Sequence, residues 1–162
     1  DYNTQSETGR LQIWTRGLKY AQDRPLLGVG ILGFEVADHL MAPQAATDPR
    51  WFGKSAHNSL LQATVESGYP GGLLFLATFL TAIYRMWRLR RRLTGSPSPH
   101  DRNNAVLADL IISAILVYLV GGFFLSQAYG PMPVTLIAMA AGLELSRLRQ
   151  PPTHPRRGLT IG

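Results

Sequence analysis

The chain has 162 residues, a formal net charge of +6 and no cysteine, which excludes a disulfide framework and a thiolate metal site. Its mean hydropathy of +0.02 is typical of a soluble protein, but that average combines two different halves. Residues 1–67 hold six basic and seven acidic residues, whereas residues 68–162 hold ten basic and three acidic residues placed between long apolar runs.

The first predicted element is an amphipathic helix from Ser6 to Gln22, which Pro25 ends. Its apolar residues recur at three- and four-residue spacing: Leu11, Trp14, Leu18 and Ala21. Two interpretations remain open. The helix is either a surface helix with solvated charges or a helix that lies on a membrane and directs Arg10 at a lipid-linked phosphate.

Two glycine-containing segments resemble nucleotide-binding motifs, but neither has the required context. Gly28–Gly33 spells GxGxxG, but a Pro-terminated helix is predicted before it and a short run over residues 34–36 after it, where a dinucleotide site needs a strand and a helix. We therefore expect its glycines to turn the chain tightly near a bilayer. Residues 53–55 resemble the end of a P-loop, but Asp48 stands where the first glycine belongs. Lys54 and Arg50 are then either ordinary loop charges or secondary phosphate contacts.

Three segments of the second half are predicted to span a membrane. Residues 67–84 include no charge over 18 positions, about 27 Å as a helix at about 1.5 Å per residue, and the glycines around Pro70 predict a kink at the start. Residues 110–143 are also uncharged and are too long for one helix. The predicted boundaries are a helix over 68–84, a basic linker over 85–104 that is flexible from Thr94 to Asn104, a helix over 105–126, a turn over 127–131, a helix over 132–147 and a basic tail over 148–162.

The charges of this half predict an orientation. If the arginine-rich linker is cytoplasmic, three spans bring the basic tail to the same side. Residues 1–67, which contain the amphipathic helix, then lie as a loop on the other side, which is the periplasm in a bacterium with two membranes. Asp109, near the start of a span, is expected to reach the interface, and Glu144 is expected to pair with Arg147 on one helix.

The titratable residue of greatest interest is His57, directly before the first apolar segment. With Ser55 as the N-cap, its imidazole would lie in the first turn of a helix, where the positive dipole end suits an anionic ligand and favours the neutral ring. A lone histidine is more often structural than catalytic. The histidine spacing also lacks HxxxH and HExxH patterns, so no metal site is expected.

Three segments carry a resemblance to a known family. His57-Asn58, nine residues and then Gly68-x-x-Gly71, together with GR…W over residues 9–14 and PLxGxG over residues 25–30, resemble the bacterial O-antigen ligase and O-antigen polymerase family. The resemblance implies an all-α integral membrane fold, part of a polytopic GT-C-like glycosyltransferase in the bacterial inner membrane. Because the chain lacks an initiating Met and supplies three spans, we expect it to be an inactive C-terminal fragment of a longer enzyme.

The resemblance also implies an activity and a site. The family transfers a glycan from an undecaprenyl-diphosphate carrier to a hydroxyl of a lipid A core sugar, of another lipid-linked repeat or of a protein. We expect inversion at the anomeric carbon, no metal or other cofactor, membrane lipids as partners and no nucleic acid. The residues that this implies are His57 as base, Arg10 as diphosphate clamp, Asn58 to orient imidazole or substrate, Arg24, Lys54 and Arg50 as substrate contacts, and Gly68 and Gly71 as motif glycines. The competing interpretation is a non-enzymatic scaffold or transporter fragment whose periplasmic loop binds a partner.

Overall fold

The computed structural model describes residues 2–41 and 56–148. These residues form five helices: α1 Tyr2–Asp23, α2 Phe34–Met41, α3 Ser59–Leu93, α4 Pro99–Gly122 and α5 Pro131–Leu148. No strand occurs within the two described ranges, and the predicted all-α class is confirmed. Arg50, Lys54 and Ser55 lie outside the described residues.

The long helices α3, α4 and α5 run up, down and up as an antiparallel bundle. Buried residues recur along α4 at the three- and four-residue spacing of a helix face, as Ala108, Ile111, Ile115 and Tyr118 show. They pack against Phe79, Ala82 and Met86 of α3 and Leu136 and Ala140 of α5. The outer surface is apolar as well, so burial inside the bundle does not account for all of the apolar side chains.

Two helices of the described chain, α3 and α4, are long and apolar enough to cross a membrane, as judged from length and composition. The third predicted span, over 132–147, corresponds to α5, which is not among them. The physical reason is that Glu144 and Arg147, together with two prolines in its first turn, lower the mean hydropathy of the described part of α5. The prediction of three spanning helices is therefore supported for two.

The helix ends differ from the predicted boundaries. α3 extends beyond the predicted span of 68–84 in both directions, and α4 begins at Pro99, so the connection that was expected to be flexible from Thr94 to Asn104 covers only residues 94–98. Pro99 suits a first helical position because its fixed φ matches the helix and its missing N–H would have no intrahelical partner there. At the other end, the α4–α5 connection covers residues 123–130 rather than 127–131.

Salt bridges join each pair of bundle helices at one end of the molecule, which we call the arginine-rich end (residues 84–102 and Arg147). The bridges are Arg85–Glu144 at 2.6 Å between α3 and α5, Arg90–Asp109 at 2.8 Å between α3 and α4, and Arg147–Asp101 at 2.7 Å between α5 and α4. Glu144 and Arg147, which were expected to pair with each other, thus each form a salt bridge with a neighbouring helix.

α1 packs along the first turns of α3 through only part of the predicted face. Ala21 is buried and Trp14 packs against the same core, but Leu11 and Leu18 are exposed. Ile13, Gly17 and Tyr20 are buried instead. Gly17 explains the difference, because a Cβ there would come within about 3.2 Å of Phe34 and Leu61 side chains. The helices meet at the residue without a side chain, and that contact decides which stripe of α1 turns inward.

Candidate functional site

α3 is kinked where the predicted GxxG segment begins, as the glycines around Pro70 predicted. Gly68 has φ 74° and ψ 177°, which is not helical. Pro70 has no N–H, so the carbonyl of Glu66, four residues earlier, lacks its usual helical donor. The kink also moves the backbone N–H of Tyr69 away from the carbonyl of Val65, which is its usual helical acceptor. Two carbonyls and one N–H of α3 thus need partners from elsewhere.

The PLxGxG segment supplies those partners. The backbone N–H of Val29 donates to the carbonyl of Val65 at 2.9 Å, and that of Gly30 donates to the carbonyl of Glu66 at 3.0 Å. In return, the Tyr69 N–H donates to the carbonyl of Pro25 at 2.8 Å. Two motifs separated by almost forty residues therefore complete each other's backbone hydrogen bonds, as buried backbone requires.

Glycine is needed on both sides of this contact. Gly28 has φ 66°, and a Cβ there would lie 2.5 Å from backbone atoms of Val65 and Glu66. Gly68 has φ 74°, and a Cβ there would lie 2.5 Å from backbone atoms of Leu26. A positive φ combined with a backbone neighbour at that distance admits only hydrogen. Gly68, predicted as a motif glycine, therefore serves the geometry of the chain.

His57 lies just before α3 rather than in its first turn. The N-cap is Asn58, whose side-chain Oδ1 accepts a hydrogen bond from the Leu61 N–H at 2.9 Å. The expected N-cap, Ser55, is thus replaced by a residue three positions later, and Asn58 has a capping role that the sequence analysis did not assign to it. His57 itself has φ 47°, in the left-handed region that few residues other than glycine occupy.

The backbone around His57 is held by two other parts of the fold. The Trp14 indole Nε1 of α1 donates to the carbonyl of Ala56 at 3.0 Å. On the other side, the His57 N–H donates to Ser126 Oγ in the α4–α5 connection at 2.7 Å. Such contacts can maintain a left-handed backbone that costs energy in isolation. His57 is only partly buried, so its position is fixed while part of its side chain remains accessible.

The first turns of α3 hold the α4–α5 connection through buried polar side chains. Ser59 Oγ donates to the carbonyl of Leu125 at 2.7 Å and accepts from the Gln127 N–H at 3.0 Å. Gln62 Oε1 accepts from the Ala128 N–H at 3.4 Å. This connection is the same one that contacts His57, so polar residues of α3 determine its position.

Glu66 forms one polar face of α3 together with Ser59 and Gln62, and it was not predicted from the sequence. It is 2% exposed, and its Oε2 accepts a hydrogen bond from the Leu32 N–H at 3.0 Å. It precedes the uncharged spanning stretch. Burial raises the pKa of Glu66, and hydrogen bonds from Leu32, Phe34, Tyr129 and Gln62 oppose that rise. The carboxyl group therefore connects the segment after PLxGxG with the α4–α5 connection.

Tyr129 completes the contact from the α4–α5 connection. Its hydroxyl group lies 3.2 Å from Ser67 Oγ, within hydrogen-bond distance. Burial is the main cause of its raised pKa, and the nearby Glu66 carboxyl group adds to it. A signal for this polar face existed in the sequence, since Ser59, Gln62 and Glu66 follow one another at spacings of three and four residues.

Arg10 and Arg24, which were predicted to contact the substrate, lie toward opposite ends of α1. Arg10 is exposed and stands one helical turn before Trp14, which contacts the residue preceding His57. Arg24 follows the other end of α1, about 21 Å further along at about 1.5 Å per residue. The structure therefore brings the turn that carries Arg10 toward the His57 segment and places Arg24 beside the α3 kink.

Within the described residues there is no candidate metal site, and one groove lies away from His57. No group of three or more His, Cys, Asp or Glu side chains that could hold a metal ion occurs in that part of the chain. A groove of about 490 Å³ lies between α3 and α5, and the Arg85–Glu144 bridge lines its end. This groove belongs to the arginine-rich half of the bundle and not to the His57 end.

Residues 1–76 match the sequence profile of a family described as O-Antigen ligase. Over 152 residues the chain is 28% identical to the exopolysaccharide production protein ExoQ of Rhizobium meliloti (strain 1021). That alignment covers 84% of the chain and 33% of ExoQ, so the chain spans about a third of the length of this relative. No solved structure matches the chain significantly. The segment matched by the family includes all of the predicted site residues.

Proposed function

We propose that the chain belongs to the O-antigen ligase and polymerase family, as the match of residues 1–76 supports, and that it contributes the catalytic segment of a membrane glycosyltransferase that acts in surface polysaccharide synthesis. The donor would be a glycan on undecaprenyl diphosphate, and the acceptor a hydroxyl group of a lipid A core sugar or of a growing polysaccharide. The observation that carries the proposal is His57, a partly accessible imidazole on a left-handed backbone that two other segments hold. Unusual backbone conformations of this kind concentrate at active sites.

His57 is proposed to act as the general base. A sugar hydroxyl group is a poor nucleophile, and removal of its proton in the transition state is worth about 100- to 10,000-fold in rate. A neutral imidazole can accept that proton near pH 7. His57 is followed by the N-cap Asn58 and precedes the first unpaired N–H groups of α3, which favour negative charge nearby.

Arg10 is proposed to bind the departing diphosphate. The leaving group gains negative charge as the anomeric carbon–oxygen bond breaks, and a planar guanidinium can meet two phosphate oxygens at once. The Trp14–Ala56 hydrogen bond supports this role because it joins the Arg10 helix to the His57 segment. In this scheme the acceptor oxygen displaces the diphosphate, the configuration inverts, and the acceptor proton passes to His57. Diphosphate is a good leaving group without a metal ion.

The experiment that tests the proposal is glycan transfer by the purified full-length protein, with lipid diphosphate donor and acceptor in detergent. We expect His57→Ala to lower the rate about 100- to 10,000-fold with donor binding retained. His100→Gln, at the arginine-rich end, is the matched control and should keep the full rate. Unchanged transfer by His57→Ala would exclude the base assignment. Unchanged surface glycans after deletion of the gene would instead favour the scaffold or transporter interpretation.

Arg10 has a test of its own. Arg10→Gln should weaken donor binding and slow transfer, and Arg10→Lys should recover only part of the loss, because an ammonium group cannot bind two oxygens in the same fork. Lys19→Gln is the matched control, since Lys19 is exposed on the opposite side of α1. Full activity of Arg10→Lys would contradict a bidentate clamp. Arg24, Lys54 and Arg50 stay predicted substrate contacts.

A further inference from the structure

The last turns of α3 present cations and aromatic rings on one exposed face. The Arg88 guanidinium lies over the Tyr84 ring at 5.6 Å, and the Arg91 guanidinium lies over the Trp87 ring at 4.8 Å. The two rings stack with centroids 6.3 Å apart. Met86, on the opposite side of the helix, is fully buried. We call the surface formed by Tyr84, Trp87, Arg88 and Arg91 the basic aromatic face.

The arginines near this face divide into two groups. Arg85 and Arg90 flank the packed side of α3, and each forms a salt bridge with a carboxylate of another helix. Arg88, Arg91 and Arg92 are exposed, and none of them forms a salt bridge within residues 2–41 and 56–148. The bundle thus neutralises the arginines that face it and leaves positive charge on the outward side.

The position of the basic aromatic face indicates what neutralises it. The face begins at the residue where the uncharged stretch of 18 residues ends, so a membrane crossed by α3 would place it at headgroup depth. Tyrosine and tryptophan rings favour that depth, and arginine stems can follow the apolar surface while the charge reaches the phosphates. We infer that the basic aromatic face binds the headgroups of anionic phospholipids. The inference makes no use of His57 or of glycan transfer.

The chemistry of the face suits a phosphodiester. Each guanidinium offers parallel N–H donors to two phosphate oxygens, and the ring beneath it holds its plane in place. Near an anionic membrane surface each arginine contributes about fivefold in affinity, which corresponds to about 1 kcal/mol. Loss of both Arg88 and Arg91 is therefore expected to reduce the preference for anionic lipid roughly 25-fold.

The test uses the full-length protein in nanodiscs of phosphatidylethanolamine with a minor share of phosphatidylglycerol. A photo-crosslinkable analogue of either lipid is added, and crosslinks to the Tyr84–Arg92 segment are counted by mass spectrometry. Arg88→Gln/Arg91→Gln is the test variant. Arg102→Gln is the control, because Arg102 is also exposed at the arginine-rich end but lies on α4.

The inference predicts that the phosphatidylglycerol analogue is enriched over the phosphatidylethanolamine analogue, that the double variant loses this enrichment and that the control keeps it. High salt should reduce the enrichment by screening, and inorganic phosphate at equal ionic strength should have no further effect. Equal crosslinking of both lipids would overturn the inference. An unchanged enrichment in the double variant would also overturn it. So would crosslinking in cells that joined the Tyr84–Arg92 segment to an acidic protein or a nucleic acid instead of to lipid.

Discussion

The indole of Trp14 and the carbonyl of Ala56 form the hydrogen bond, 3.0 Å long, that attaches α1 to the residue before His57. The Trp14 ring also packs edge-on against Phe123 at 5.3 Å, so one side chain of α1 contacts two other parts of the fold. Because Arg10 lies one turn away on the same helix, Trp14 determines how the proposed clamp and the proposed base are placed relative to each other.

Trp14→Phe should separate the two functions of this side chain. Phenylalanine keeps an aromatic contact with Phe123, but it leaves the carbonyl of the fully buried Ala56 without its hydrogen-bond donor. This loss should lower the free energy of unfolding by about 1 kcal/mol. We expect a small decrease in thermal stability and a larger decrease in kcat, since the His57 segment is no longer fixed. Thermal unfolding and steady-state transfer by the full-length protein measure both. Equal values for wild type and variant would show that the hydrogen bond is dispensable.

Gly68→Ala should strongly destabilise the protein. At φ 74° and ψ 177° the backbone lies in a region that is essentially restricted to glycine, which costs an alanine about 1–3 kcal/mol, and the alanine Cβ would in addition collide with backbone atoms of Leu26. Gly121→Ala in α4 is the matched control, because a Cβ there meets no atom within 4 Å, and it should leave the unfolding midpoint unchanged or raise it. A Gly68→Ala protein as stable as the control would contradict the close contact between the PLxGxG segment and the kink.

Glu66 should make stability depend on pH. Its pKa in the folded protein lies above the ordinary value of 4.5, so folding favours the protonated carboxyl group. This contribution is complete below the unfolded pKa and is lost as the pH rises through the folded pKa. The Glu66→Gln variant cannot ionise at this position, so it should not lose stability in this way as the pH rises. Glutamine still offers a hydrogen-bonding side chain. Unfolding midpoints of both proteins across the acidic range test this, and parallel pH curves would count against a desolvated Glu66.

The salt bridges of the arginine-rich end should differ in strength according to burial. Asp101 is 5% exposed and pairs with Arg147, so Asp101→Asn removes a buried ion pair and should destabilise the protein more than the loss of an exposed pair does. Asp109 is half exposed in its pair with Arg90, and Asp109→Asn should cost less than about 1 kcal/mol. Chemical unfolding of the two variants compares them directly. A larger loss of stability in Asp109→Asn than in Asp101→Asn would mean that contacts other than the Asp101–Arg147 pair set the register of the bundle.

The sequence was sufficient for features that depend on local chemistry. Uncharged runs and the spacing of apolar residues predicted a helical protein, and the glycines around Pro70 predicted the kink that the structure places at Gly68. The PLxGxG glycines were correctly expected to make a tight turn, since Gly28 and Gly30 both have positive φ. Prediction succeeded where a residue has one dominant conformational preference.

Features that depend on which helices meet were not predictable in this way. Asn58 and Ser55 are equally good caps by residue type, and contacts from Ser126 and Trp14 accompany the choice of Asn58. The inward face of α1 follows from its contact at Gly17 and not from its leucines. Glu144 has an acceptable partner on its own helix, but it forms a salt bridge with Arg85 of a neighbouring helix. In each case tertiary contacts outweighed a weak local preference.

The most direct test of the proposed base is rescue of a His57→Gly protein by added imidazole. Glycine accepts the φ of 47° without strain, so the backbone should stay in place and leave room for a free imidazole. The full-length variant should transfer glycan at a low rate that rises with imidazole concentration, and substituted imidazoles of higher pKa should rescue it better at a fixed concentration of neutral base. A rate that imidazole does not change, or a His57→Gly protein as active as wild type, would contradict the assignment of His57 as the base.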